Sequence, residues 1–386
     1  MSPAPSNPAT PRLLHPLMGA DIQTLLQVLS ANGGIPLRCW PHVSLAIATS
    51  LARLPITAVE RLRVAQLRQR HAINQSDRAG RASQSLHQPP VFVVGHWRSG
   101  TTFLYELLCQ SPQFAYVSPF AVGLPWEFLT LTELMRPVLE RALPRDRFID
   151  SMQVNPDSPQ EDEIGLANMQ PVSFYHGLYF PARLREHFNA GIFFDGCSPE
   201  QIETWQRVTR LFFEKIQLEQ PGKQLLIKNP VYTARVAMLR DMFPDAKFIH
   251  IYRNPYIVFQ STRNFYWKLF KELALQPFEN APVDDLILDS YPRMMDRVLK
   301  ETADLPDHQY VELRFETFET DPISHLQHIY HTLEIEGFDQ VKPRFERYLD
   351  SKKQYRKNRY QFPEADNQRV TQKWRSLIEH WGYAPP

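Results

Sequence analysis

The sequence predicts an α/β fold, a three-layer arrangement with a central parallel sheet flanked by helices and a helical extension ahead of it. Three observations lead there. The buried-strand run Val91–Val94 passes through a turn bounded by Gly95 and Gly100 into a helix carrying Phe103, Leu104, Leu107 and Leu108. Two further strand–helix units follow one another, 224–228 into a helix over 231–243, and 247–253 into a helix that Asn254 caps and Pro255 starts. These strands end in a glycine-rich turn, in Lys228 and in Arg253, and parallel sheets bind ligands at their carboxyl ends.

The remaining elements read in order. Residues 1–11, rich in Pro, Ser and Ala, form a disordered tail. Residues 12–88 form an N-terminal helical extension. Asp21 starts a first helix with Ile22, Leu25, Leu26 and Leu29 on one face, and Asn32-Gly33-Gly34 stops it. A second apolar helix covers 43–54, and a third starts at Thr57, with Val59, Leu62, Val64 and Leu67 among four arginines. Such helices either pack on a core with their arginines in water, the commoner case, or lie peripherally on an anionic membrane. A polar connector over 80–88 leads to the main domain, 89–386. Past the first strand–helix unit, 114–117 is a candidate strand, and 119–143, rich in Pro, Phe and Leu, is either helical core or the lining of an acceptor pocket. Ser158, Pro159 and Glu161 spell a helix start with a capping box, which leaves Asp162 and Glu163 as candidate general bases, Glu163 preferred. His176, in an aromatic loop, competes for that role, although a satisfied structural histidine is the commoner outcome. Residues 198–218 repeat the helix-start grammar and carry a core stripe. Residues 309–316 alternate as a peripheral strand, 352–358 form a basic loop, and 367–383 end the chain as a helix.

Composition narrows the function classes. A chain of 386 residues with 43% hydrophobic content buries a large core, and a net charge of +1 gives no broad surface for nucleic acid. The three cysteines have neither disulfide nor zinc spacing, and no secretory signal or 20-residue apolar run is evident, so a cytoplasmic enzyme without a metal site is expected.

The turn itself specifies an anion. Backbone N–H groups and the helix dipole favour negative charge there. Laid on the template G-x-x-x-x-G-K-[ST], residues 95–102 fit except that Thr101 replaces the lysine; a cation stands inside the loop instead, at Arg98. An ATP enzyme also needs Mg²⁺ held by an acidic residue at a neighbouring strand end, whereas the strands here end in Lys228 and Arg253. The pocket therefore suits a phosphate-rich nucleotide whose charge is met by Lys and Arg.

Arg98-Ser99-Gly100-Thr101-Thr102, then Leu226-Ile227-Lys228-Asn229-Pro230, then Arg253 with Ser261 eight positions on, resemble in order the motifs of sulfotransferases that use 3′-phosphoadenosine-5′-phosphosulfate (PAPS). The similarity spans most of 89–383 and is greatest to the bacterial branch with Gly-His-Trp-Arg-Ser-Gly-Thr-Thr and Pro-Gln-Glu-Asp-Glu motifs. The resemblance implies a P-loop-type fold and PAPS as co-substrate without a metal. It implies that Arg98, Ser99, Gly100, Thr101, Thr102 and Phe103 hold the 5′-phosphosulfate, that Arg98 and Lys228 stabilise the transferred group, and that Arg253 and Ser261 clamp the 3′-phosphate, with Arg356 or Lys357 closing over it. It does not fix the base. Cytosolic small-molecule members carry a histidine two positions after the strand lysine, where this chain has Pro230; the protein-tyrosine branch places a glutamate soon after the cradle helix, where this chain offers Ser118. The acceptor implied is a small hydroxyl or amine compound, partly hydrophobic: lipid-like, phenolic or carbohydrate. Two rivals stand beside this reading, a P-loop kinase-like phosphotransferase and a non-catalytic nucleotide- or membrane-binding module.

Overall fold

Val91–Val94 is apolar at every position because both of its faces are covered, as in the middle of a parallel sheet. The computed structural model describes residues 15–76 (backbone alone from 70), 88–132, 158–352 and 361–386. The expected tail, nearly all of the connector, residues 133–143, and Arg356 and Lys357 lie outside the described residues. The chain separates into two compact units, one made of 1–88, 117–222 and 268–281, the other of 89–116, 223–267 and 282–386.

The second unit holds five parallel strands: β1 (Val91–Val94), β2 (Phe114–Ala115), β3 (Gln224–Lys228), β4 (Lys247–Tyr252) and β5 (Tyr310–Arg314). Their order is β2-β3-β1-β4-β5. Val93 stands opposite Lys228 on one side and Ile249 on the other, and Tyr252 opposite Arg314. Side chains alternate between two layers. Val91, Val93, Leu226, Ile249, Ile251, Val311 and Leu313 share one apolar cluster with Leu104, Leu107 and Leu108 of the cradle helix (Thr101–Leu108) and with helices Phe315–Thr320, Pro322–Thr332 and Phe338–Lys352. On the opposite face Phe92 meets the rings of Tyr232, Phe243 and Phe248. Behind it the helix Val283–Thr302 packs against Glu364–His380, where Trp374 stacks on Tyr291 at 4.0 Å and its indole N–H donates to the Leu288 carbonyl. The helix expected over 231–243 is two pieces, a 3₁₀ turn Pro230–Ala234 and an α-helix Val236–Met242, because Arg235 leaves the helical region at φ −138°.

The first unit is helical. Asp21 accepts from the amides of Gln23 and Thr24 to start Ile22–Asn32, and Gly33 ends it at φ 52°, as expected. Leu26, expected on the apolar face, is 52% exposed. The two helices expected over 43–54 and from Thr57 are one, Trp40–Ser76, running through Pro55. Proline removes one backbone hydrogen bond; Glu127 compensates by gripping both sides, accepting from Arg53 at 2.6 Å and from the Thr57 hydroxyl at 2.5 Å. The helix expected from Ser158 begins at Glu163 instead, and the Gln160 amide ahead of it donates to the Val117 carbonyl. Ser198 does cap Pro199–Glu219, with Gln201 closing the box.

Among the imidazoles enclosed by this packing, His15, His96 and His176 are each at most 4% exposed. Burial lowers each pKa from 6.5 to about 4. All three are neutral in the native state at pH 5, whereas the unfolded chain is protonated there. Stability is therefore full above about pH 6.5 and lost as pH falls towards 4, by about 1.4 kcal/mol per pH unit for each proton taken up on unfolding. Denaturant midpoints measured from pH 7 to 5 should fall steadily; a flat profile would contradict the burial of these rings.

Candidate active site

The cradle is built from close approaches that fix its turn. At Gly95, where φ is 145°, a Cβ would stand 2.3 Å from the Ile251 carbonyl oxygen, so only glycine lets β1 leave the sheet beside β4. Its amide donates to the Thr233 hydroxyl at 2.8 Å. The Ser99 amide and hydroxyl both donate to the His96 carbonyl, at 3.2 and 2.8 Å, which closes the turn. Arg98 takes a left-handed conformation at φ 70° and Gly100 another at φ 101°. A Cβ on Gly100 would lie 2.1 Å from the Phe315 ring, so the loop rests on that ring. The first amides of Thr101–Leu108 are then left to face a ligand, as at any helix start.

Around this loop the expected cations converge. Arg98 Nε donates to Ser261 Oγ at 2.9 Å, and its guanidinium stands 5.9 Å from the Phe265 ring centre. Arg253 Nη1 donates to the Arg98 carbonyl at 3.3 Å, and its guanidinium lies 4.3 Å over the Phe315 ring. Lys228 Nζ, in a side chain only 3% exposed, reaches Thr102 Oγ1 at 3.4 Å. The register explains the meeting. β3 and β4 flank β1, neighbouring strands lie ~4.8 Å apart, and Lys228 shares the face of its partner Val93, on which the cradle helix packs. Phe103 turns its ring to Phe318 at 5.4 Å, which leaves its backbone amide for the cradle.

Glu163 and His176 belong to the other unit. Glu163 is fully buried and accepts from the Ser173 hydroxyl at 2.7 Å. His176 has both ring nitrogens against backbone carbonyls, of Pro171 at 2.9 Å and Ala167 at 3.0 Å. Sequence reasoning missed Phe315, Phe265 and Thr233. Phe315 had a signal, as the residue just past the alternating strand Tyr310–Arg314; the other two lie inside helical patterns with none.

Two guanidinium groups and an ammonium around one helix N-terminus are chemically suited to an oxyanion and to charge developing on it. Comparison with known proteins defines the class. The profile described as "Sulfotransferase family" matches residues 89–340. The chain is 32% identical over 303 residues, 78% of its length and 77% of the relative's, to the omega-hydroxy-beta-dihydromenaquinone-9 sulfotransferase Stf3 of Mycobacterium bovis, and equally to that of Mycobacterium tuberculosis. The crystal structure of sulfotransferase STF9 from Mycobacterium avium superposes with a TM-score of 0.64 at 16% identity, covering 95% of this chain and 97% of that one. That of STF1 from Mycobacterium tuberculosis has a TM-score of 0.57 at 15% identity, covering 92% and 90%. The chain belongs to the sulfotransferase family and has its P-loop-type fold.

Gly100→Ala adds both a Cβ against Phe315 and strain at positive φ, and should cost at least about 2 kcal/mol of stability. In a Phe315→Ala background the steric part disappears, so the Gly100→Ala penalty should shrink in a double-mutant cycle. Additive effects would show that the ring does not support the loop.

Proposed function

We propose that this sulfotransferase moves the sulfuryl group of PAPS to a hydroxyl on a partly hydrophobic, lipid-like acceptor. The observation that supports it most is the attachment of Arg98, Lys228 and Arg253 to one loop at adjacent strand ends. The acceptor oxygen attacks sulfur as the bond from sulfur to the bridging oxygen of the 5′-phosphate breaks. The electron pair goes to that oxygen, and the products are a sulfate ester and adenosine 3′,5′-bisphosphate. Arg98 and Lys228, with the loop amides, stabilise the charge that develops on the departing phosphate. Arg253 and Ser261 read the 3′-phosphate, the feature that separates PAPS from ATP. The lipid-like acceptor is supported by the menaquinone derivative in the relative's name.

We assign the acceptor's proton to Glu163 rather than His176. Two carbonyls occupy the imidazole nitrogens, and burial lowers the ring's pKa to about 4, which leaves it a poor base at neutral pH. Glu163, which accepts from the Ser173 hydroxyl, offers a carboxylate as acceptor of the proton.

The test is turnover of labelled PAPS with a hydroxylated isoprenoid quinone as acceptor, in EDTA and, separately, of ATP with Mg²⁺. Transfer from PAPS is expected in EDTA; transfer from ATP alone would favour a kinase. Arg98→Ala should lower kcat by about 10²–10³. Ser261→Ala should act mainly on KM for PAPS. Glu163→Gln should lower kcat by about 10²–10⁴. A near wild-type Arg98→Ala rate would reject the donor-site assignment.

A further inference from the structure

Over positions 40–62 the helix Trp40–Ser76 leaves an apolar face exposed. A helix on a globular unit ordinarily buries its apolar face and shows its polar one. Here the buried side carries Ser50, Arg53, Thr57 and Glu60 along with Val43, Ala46 and Val64. Ser50 donates to the Ala20 carbonyl at 2.7 Å, Arg53 to the Met18 and Ala20 carbonyls and to Glu127, and Glu60 pairs with buried Lys215 at 2.8 Å. The opposite side shows positions 40, 44, 48, 51, 55, 59 and 62, in helical steps of three or four, all exposed within this unit. Every exposed residue from 40 to 59 is apolar or alanine or proline, apart from Ser44. Leu37, Trp40, Leu51, Leu54, Val59 and Leu62 are between 47% and 87% exposed.

We propose that this face docks the protein on an anionic lipid bilayer, with the helix lying in the interface plane. Between positions 40 and 62 the stripe is about 33 Å long at 1.5 Å per residue, too continuous for the scattered apolar residues of an ordinary surface. Its borders supply the charge. Arg38 stands beside Trp40 at one end and Arg61 beside Leu62 at the other, both exposed, while the acids of residues 15–69 are Asp21, spent on a helix cap, and buried Glu60. Further along, Arg68 is paired with Glu214. Tryptophan and arginine flanking an apolar stripe match the headgroup region, where the ring is half wet and the cations meet lipid phosphates. A second copy seated there would instead bring like-charged arginines together. The helix is long and apolar enough to cross a membrane, yet crossing would strip Arg53 and Glu60 from Glu127 and Lys215 and place them in hydrocarbon. It therefore lies on the bilayer.

The experiment is co-flotation of the full chain with vesicles of phosphatidylcholine, with and without phosphatidylglycerol. The readout needs neither donor nor acceptor, so it is independent of the proposed reaction. Wild type should float with the anionic vesicles and be released by salt. Leu54→Glu/Leu62→Glu should weaken binding by at least about tenfold with an unchanged melting temperature, since both side chains are exposed. Arg38→Gln/Arg61→Gln should lose the preference for phosphatidylglycerol while retaining weak binding. Wild type that remains unbound, a Leu54→Glu/Leu62→Glu variant that floats equally well, or a dimer by light scattering that this variant converts to monomer without any vesicle binding, would each overturn the proposal.

Discussion

The pairing of β1 with β3 on one side and β4 on the other, in register, is the constraint on which the site depends. Val93 opposite Lys228 puts that lysine on the face where the cradle helix packs; a slip of one residue would turn it to the far layer. The β4 register carries Arg253 past the sheet edge beside the Arg98 carbonyl. β5 then adds Phe315, which supports both Gly100 and the Arg253 guanidinium. Two guanidinium groups, a buried ammonium and the positive end of a helix are thereby gathered at one loop. The site is preorganised for negative charge before any ligand arrives.

The parts of the fold legible in the sequence were those whose signals are local. The three strand–turn–helix units announced themselves by apolar runs, by glycines with required backbone angles, and by Asn254-Pro255. Strand order was not legible, because a parallel crossover does not state which neighbour a strand joins. That Arg98, Lys228 and Arg253 stand at strand ends was legible; which of those ends are neighbours was not. Phe315 could be placed at the end of a strand, but not against Gly100, which is more than two hundred residues away in sequence.

Where local signals misled, a distant side chain had the stronger hold. Pro55 is an ordinary helix stop, and the helix continues because Glu127 anchors Arg53 and Thr57 across it. Ser158-Pro159 is an ordinary helix start, yet the helix begins only at Glu163, and the Gln160 amide meets the Val117 carbonyl. The same logic separates Glu163 from His176. One ends an acidic run and the other lies in an aromatic loop; in the fold, backbone carbonyls face the imidazole nitrogens while the carboxylate meets a hydroxyl.

The N-terminal helix extends this argument to patterning. Arginines interleaved with leucines at helical spacing are compatible with either face turned inward, since hydrophobic burial alone would choose the leucines. The choice here is made by polar groups. Arg53 and Glu60 can be buried at acceptable cost only with partners, and Glu127, Lys215 and the carbonyls of Met18 and Ala20 are placed to receive them. Once these contacts form, the helix cannot rotate to hide its leucines without leaving charges unpaired in the interior, which costs more than exposing the apolar stripe to water. The exposed stripe is thus a consequence of the buried polar network, and covering it requires a second apolar phase outside the unit rather than any rearrangement within it.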